Sequence, residues 1–139
     1  MPRYEDIQIG DSASFTKTVS EADITMFAGV TGDLNPVHID EEYAKRTMFK
    51  GRIAHGMLGA GFISAVLGTR LPGPGTIYLT QELRFKAPVR IGDTITATCK
   101  VIAKDDAKRK LTMETVVANQ EGKAIIEGSA LVMLPAQAG

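Results

Sequence analysis

The segment Thr31-Gly-Asp-Leu-Asn-Pro-Val-His-Ile-Asp40 places Asp33, Asn35, His38 and Asp40 inside ten residues. A carboxylate and an imidazole are the usual pair for moving protons at neutral pH, and the spacing from Asp33 to His38 in a non-helical loop could aim both at one water. The same residues also suit a plainer reading, in which Gly32-Asp33 and Asn35-Pro36 are turn chemistry and His38 is a satisfied histidine. A calcium loop is a poor fit: Val37 stands where the next ligand belongs and the sharp-turn glycine is missing. A transition-metal site would need His38 and His55 to converge, which nothing in the spacing demands, so no metal is expected.

A second constellation, Ile53-Ala-His-Gly-Met57, lies where this loop enters an apolar run. Unpaired N–H groups at a helix start carry the positive end of the dipole, and Gly56 would let a ligand carbonyl approach them, as an oxyanion hole requires. Equally, Gly56 could relieve crowding between helix and sheet, with His55 packing or capping. Gly59-Ala-Gly61 lacks the third glycine of a dinucleotide fingerprint and sits within a helix, so close helix–sheet packing is its better explanation. Ser64, the hydroxyl in the interior of that helix, is expected to bond back to the preceding turn, with a place in the site as the alternative. No Gly-x-Ser-x-Gly elbow supports a serine hydrolase. Arg84, Lys86, Arg90, Lys104, Lys108, Arg109 and Lys110 are expected to form a mostly solvated face from which a few could pair with phosphates.

The elements that must position these groups follow from periodicity. Ser12 to Val19 alternates as a short strand; Ser20 with Asp23 marks a helix start, followed by Ile24, Phe27 and Ala28 at helical spacing, with Gly29 helping to end it. From Val30 to Ala54 the chain is turn-forming apart from a helix at Glu41 to Arg46 capped by Asp40, and so long an irregular insert in a small domain points to function. Asp33 and His38 are therefore expected in a loop, outside the apolar core. Gly56 to Thr69 is a helix apolar nearly all round, which predicts that other structure encloses it. Leu79 to Phe85, Thr94 to Ala103, Leu111 to Ala118 and Ala124 to Met133 read as strands of an antiparallel meander, with turns at Asp105 to Lys110 and Asn119 to Lys123. The early strand can join them. The result is an α+β class, a curved antiparallel sheet wrapped around a long central apolar helix, in a single domain spanning 1–139.

Bulk properties narrow the field. With 16 Lys+Arg against 16 Asp+Glu the net charge is zero, leaving no field to hold a nucleic acid. The lone Cys99 has no disulfide partner, and the start of the chain has no apolar stretch of signal length, so a cytoplasmic location is expected. The apolar run Gly56 to Thr69 is shorter than the roughly 20 residues a membrane span needs, so no membrane partner is expected.

Taken together, Phe27 to Asp40, then Ala44, Phe49, Ile53, His55-Gly-Met57, Pro72-Gly-Pro-Gly75, Ile77-Tyr78, Phe85-Lys86, Pro88-Val89 and Gly92-Asp93 resemble the MaoC-like, R-specific enoyl-CoA hydratases of the hot-dog fold, over most of the chain. The pairing of GDxNPxHxD with a downstream HGM is the specific part, and the resemblance is to the short single-hot-dog hydratases that supply polyhydroxyalkanoate synthesis. It implies reversible hydration of trans-2-enoyl-CoA to (R)-3-hydroxyacyl-CoA. By the same resemblance Asp33 and His38 match the catalytic pair and Gly56 the glycine whose N–H holds the thioester oxygen, while Asn35, His55 and Ser64 support the site. No cofactor is implied beyond the acyl-CoA substrate, and a homodimer is. A hot-dog acyl-CoA thioesterase is the rival enzyme, disfavoured because Gly56 to Thr69 holds no Asp or Glu; a non-catalytic acyl-CoA-binding protein is the rival from another class.

Overall fold

A computed structural model describes residues 3–136 of the chain, so both ends of the expected domain span, 1–2 and 137–139, lie outside the described residues. Five strands, β1 (Ser12–Thr18), β2 (Ile77–Phe85), β3 (Thr94–Asp105), β4 (Lys110–Ala118) and β5 (Ala124–Met133), form one antiparallel sheet in the order β1-β3-β4-β5-β2. Helices α1 (Glu21–Thr31), α2 (Pro36–Ile39) and α3 (Glu41–Ala44) precede α4 (Gly56–Thr69), which packs across β1, β3 and β4. This is the expected hot-dog arrangement of a sheet curled about one helix.

The alternation read from the sequence decides which face of each strand meets that helix. Ile95, Ala97, Cys99 and Val101 of β3, and Leu111, Met113, Thr115 and Val117 of β4, are all buried and line the concave side with Ile63, Val66 and Leu67 of α4. On the outer face β1 and β3 are joined by facing hydroxyls, Ser14 to Thr98, Thr16 to Thr96 and Thr18 to Thr94, at 3.0, 2.8 and 2.7 Å. At Gly59 helix and sheet pack closely: a Cβ there would stand 3.0 Å from Ile126 Cδ1, so the packing explanation holds for it, whereas at Gly61 a Cβ would meet open space.

Several expectations need correcting. The meander comprises β3, β4 and β5 only, because β2 crosses the molecule to pair with β5 and leaves its other edge free. The first helix does not stop at Gly29. It continues to Thr31 and is terminated by Gly32, whose φ of 79° is left-handed and suits a residue without Cβ. Its predicted start is confirmed by a full capping box between Ser20 and Asp23. Nor is α4 enclosed on every side by the described residues: Met57, Gly61 and Ser64 are exposed along one face of it. Among the described residues no helix is long and apolar enough to cross a membrane.

The basic residues are less free than a solvated face would be. Lys104 Nζ donates to the Ile7 carbonyl at 2.6 Å and lies over the Tyr4 ring, Arg109 pairs with Glu5 and donates to the Leu134 carbonyl, and Arg90 donates to the carbonyls of Phe49 and Gly51. Three of the seven therefore act as clamps on the backbone, holding the first turn, the C-terminal stretch and the insert before α4. Lys86 is exposed at the mouth of a cavity described below.

Candidate active site

His38 is not in open loop. Asn35 caps a short helix, its side chain accepting from Val37 N, and Pro36 occupies the first helical position, where its missing N–H costs nothing. The resulting turn buries Val37 and His38 against Ala44, Ile53 and Phe49, a small satellite core. Asp40 both ends α2 and caps α3, accepting from Tyr43 N at 3.1 Å. The insert thus holds two capped helical turns: the expected one capped by Asp40, which ends at Ala44 rather than Arg46, and a further one at Pro36–Ile39 where a turn is expected.

Residues 52–53 fix His38 on two sides. Ile53 donates its N–H to the Val37 carbonyl and accepts from His38 Nδ1 at 2.8 Å, while Arg52 Nε donates to the His38 carbonyl at 2.7 Å. Arg52 is itself held by a two-pronged ion pair with Glu21 on α1, both bonds 2.9 Å. Because a carbonyl only accepts, Nδ1 carries the hydrogen and the neutral ring presents a bare Nε2 lone pair. Burial pushes the His38 pKa down from its ordinary 6.5, the neighbouring His55 adds to this, and the bond to Ile53 and the charge of Asp33 oppose it.

The sign of the pH dependence follows. A base at His38 is neutral down to below pH 6.5, so the acid limb of a kcat/KM profile is expected below that value. The unfolded chain binds a proton at His38 more readily than the folded one, so stability is lost as pH falls from about 6.5, and is unaffected by this group above it. A pH–rate profile with its acid limb above 6.5 would argue against His38 as a base.

Asp33 is exposed and follows the left-handed Gly32; its carboxylate accepts from Asn35 N at 3.3 Å. His55, only 2% exposed, donates Nε2–H to the Asp33 carbonyl at 2.9 Å and stacks on His38 with ring centroids 4.0 Å apart. Asp33, His38 and His55 bring ligand-type atoms within 4.8 Å of one another. Yet imidazoles stacked at 4.0 Å with planes 30° apart direct their in-plane lone pairs side by side rather than to one point about 2 Å from each, as zinc needs. The convergence of His38 and His55 that the spacing did not demand is real, and its geometry suits proton chemistry better than a metal.

Gly56 opens α4 immediately after His55, and no acceptor for its N–H is found among the described residues. A Cβ at Gly56 would fall 2.8 Å from Phe85 Cε1, so crowding accounts for the glycine as well as ligand approach does. His38, His55 and Gly56 share the wall of a cavity of about 390 Å³ whose other walls, including Phe49, Ile95 and Ile126, are apolar apart from Lys86 at its mouth. On the far side of α4 a more open cleft runs past Phe27, Met57, Ser64 and Gln81. Ser64 is exposed there and makes no side-chain hydrogen bond among the described residues, so the expected back-bond is absent; Thr69 makes such a bond instead, to Ala65 at 2.6 Å. Sequence reasoning missed Arg52 and Phe85 as parts of the site, and no motif or spacing points to the arginine.

Comparison with known proteins bears on what this arrangement does. The family model "MaoC like domain" matches residues 6–123. An (R)-specific enoyl-CoA hydratase of Rhodospirillum rubrum is 60% identical over 134 residues, 96% of this chain and 92% of that protein. A 3-hydroxybutyryl-CoA dehydratase of Methylorubrum extorquens is 43% identical, over 95% of this chain and 83% of its own length. Among solved structures, the (R)-hydratase from A. caviae involved in PHA biosynthesis superposes with a TM-score of 0.91 at 40% identity, covering 94% of this chain and 99% of that one.

Proposed function

We infer the function from one premise: the chain belongs to the MaoC-like domain family. It is an (R)-specific enoyl-CoA hydratase, a hydro-lyase that adds water reversibly to trans-2-enoyl-CoA to give the (R)-3-hydroxyacyl thioester. The observation that supports the site assignment is that Asp33, His38 and His55 bring ligand-type atoms within 4.8 Å of one another, while Gly56, next in the chain, shares a cavity wall with His38 and His55.

Hydration needs a proton taken from water, a proton delivered to the α-carbon, and a donor for the oxygen that gains enolate character between the two. In our reading Asp33 and His38 hold one water. Its oxygen bonds to the β-carbon as a proton passes to His38 Nε2, and the electron pair of the double bond moves toward the thioester oxygen, which accepts from Gly56 N–H. The imidazolium, steadied by the Asp33 carboxylate, returns the proton to the α-carbon and is again neutral. Water supplies both the hydroxyl and the hydrogen, so the balance needs no cofactor. Asn35 supports the loop by capping α2, and the apolar cavity beside His38 accommodates the hydrocarbon part of the substrate.

The reading extends to a cytoplasmic homodimer. Met26 and Val30 of α1, Met57 of α4 and Ile77, Tyr78 and Leu79 of the edge strand β2 are exposed apolar groups that a second copy would cover. Synthesis of polyhydroxyalkanoate is the route we favour for the product, supported by the likeness to the A. caviae hydratase.

Loss of enoyl-thioester absorbance on mixing with crotonyl-CoA, read alongside chiral analysis of the product and a free-thiol assay, tests the activity. Formation of (R)-3-hydroxybutyryl-CoA without thiol release is expected. Thiol release would identify a thioesterase, and binding without turnover across a series of acyl-CoAs a carrier.

A further inference from the structure

We propose that His55 is a positioning residue for the hydration reaction, locking the Asp33 main chain to the ring of His38; this rests on the reading of the site given above. His55 is the common neighbour of every part of the site. Its Nε2–H donates to the Asp33 carbonyl at 2.9 Å, its ring stacks on His38 at 4.0 Å, Phe27 packs on it at 4.8 Å, and the next residue is Gly56.

The two proposed catalytic residues are held very differently. His38 is fixed by Ile53 through its ring, by Arg52 through its carbonyl and by its own N–H to the Asn35 carbonyl. Apart from the His55 bond, Asp33 has local bonds among the described residues, its N–H to Thr31 Oγ1 at 3.2 Å and its carboxylate from Asn35 N at 3.3 Å. Among the described residues, the His55 bond is the one hydrogen bond that ties Asp33 to the chain outside residues 31–35. Without it, the distance between the Asp33 carboxylate and His38 Nε2 depends on an exposed turn.

Packing alone does not explain a histidine here. With Nε2 carrying its hydrogen, Nδ1 is an acceptor, and it is buried with no partner in the described structure. Leaving a buried polar atom unsatisfied is unfavourable, and a leucine would fill much of the same space without that cost. The Nε2–H bond to Asp33 is what the imidazole supplies and a leucine cannot.

The test compares His55→Gln, whose amide reaches about as far as Nε2 and can donate to the Asp33 carbonyl, with His55→Leu, which fills space without a donor. Hydration of crotonyl-CoA and of a series of longer enoyl-CoAs by the unaltered protein is measured first; if none is hydrated, the hydratase reading fails and this inference with it, and otherwise the variants are compared on the substrate turned over best. Given wild-type hydration, His55→Leu is expected to lower kcat by about 10²-fold, the cost of misplacing a reacting group by around 1 Å, with KM changed less than about threefold. His55→Gln should recover most of the loss. In an Asp33→Asn background the His55→Leu change should cost little further, because the bond then positions a residue no longer able to serve. Should His55→Leu not fold, His55→Asn takes its place, its shorter amide lying out of reach of the Asp33 carbonyl. Wild-type kcat in the Leu or Asn variant, equal losses in Gln and Leu, or full additivity with Asp33→Asn would each overturn the proposal while leaving the hydratase reading intact.

Discussion

Replacing Asp33 by Asn, or His38 by Gln, is expected to lower kcat/KM for crotonyl-CoA hydration by roughly 10²–10⁴-fold, the range a positioned acid or base contributes. Each substitution keeps the approximate shape of the side chain and removes one capacity. The asparagine amide would still accept a hydrogen bond but carries no charge to hold the water or steady an imidazolium; the glutamine amide reaches about as far as Nε2, offers no basic nitrogen there, and gives up the Nδ1 bond to the Ile53 carbonyl. The stability costs differ, because the environments differ. Asp33 is exposed, so its variant should unfold within about 0.5 kcal/mol of the parent. His38 is 7% exposed and bonded to Ile53 in the satellite core, so its variant is expected to lose about 1–2 kcal/mol while remaining folded at 25 °C. Thermal unfolding run beside the kinetics separates these effects. Near-wild-type turnover in either folded variant would remove that residue from the proton path.

The unequal burial of this pair shows what the sequence could and could not convey. Asp33 and His38 were legible as a pair because their types and spacing are unusual, and α4, β3, β4 and β5 were legible because local hydrophobic period is a local property. The capping box at Ser20 is equally local. What failed was mostly tertiary or depended on choosing between local signals. Alternation marks β2 as a strand but carries no information on which neighbour it pairs with, so its place beside β5 was lost. Gly29 and Gly32 are both helix-stop candidates, and only the backbone shows that Gly32 takes the left-handed turn. Asn35-Pro36 suits a turn and equally a cap followed by a first-position proline; the structure takes the second form, which moves His38 from a loop to a buried helical turn.

Other site contacts have no local signature at all. Arg52 meets Glu21 across 31 positions and the His38 carbonyl across 14, distances over which no spacing rule operates. His55 could be seen beside Gly56, but its bond to Asp33 spans 22 positions and depends on how the insert folds back over the start of α4. The candidate site is therefore readable as a set of residue types. The scaffold that aims them is a product of the fold.

Gly56 carries the second large effect, and its two explanations make different predictions. Gly56→Val is expected to lower kcat/KM by about 10²–10³-fold, the scale of losing one well-placed oxyanion donor, because the added side chain displaces the thioester from the N–H. Crowding acts at the same position, since even a Cβ would stand 2.8 Å from the Phe85 ring. That ring is 54% exposed and can swing outward, so Gly56→Ala should destabilise by only about 1–3 kcal/mol, the usual cost of modest overpacking. Phe85→Ala in the same protein removes the collision. If crowding against Phe85 were the whole role of Gly56, the double variant Gly56→Ala, Phe85→Ala would match the Phe85→Ala protein in both melting temperature and turnover. If ligand approach is what the glycine provides, the double variant regains stability but stays far below Phe85→Ala in kcat/KM, since the methyl group still occupies the space the thioester oxygen must enter. The second result is expected, because the Gly56 N–H heads a helix, has no acceptor in the described protein, and shares a cavity wall with His38.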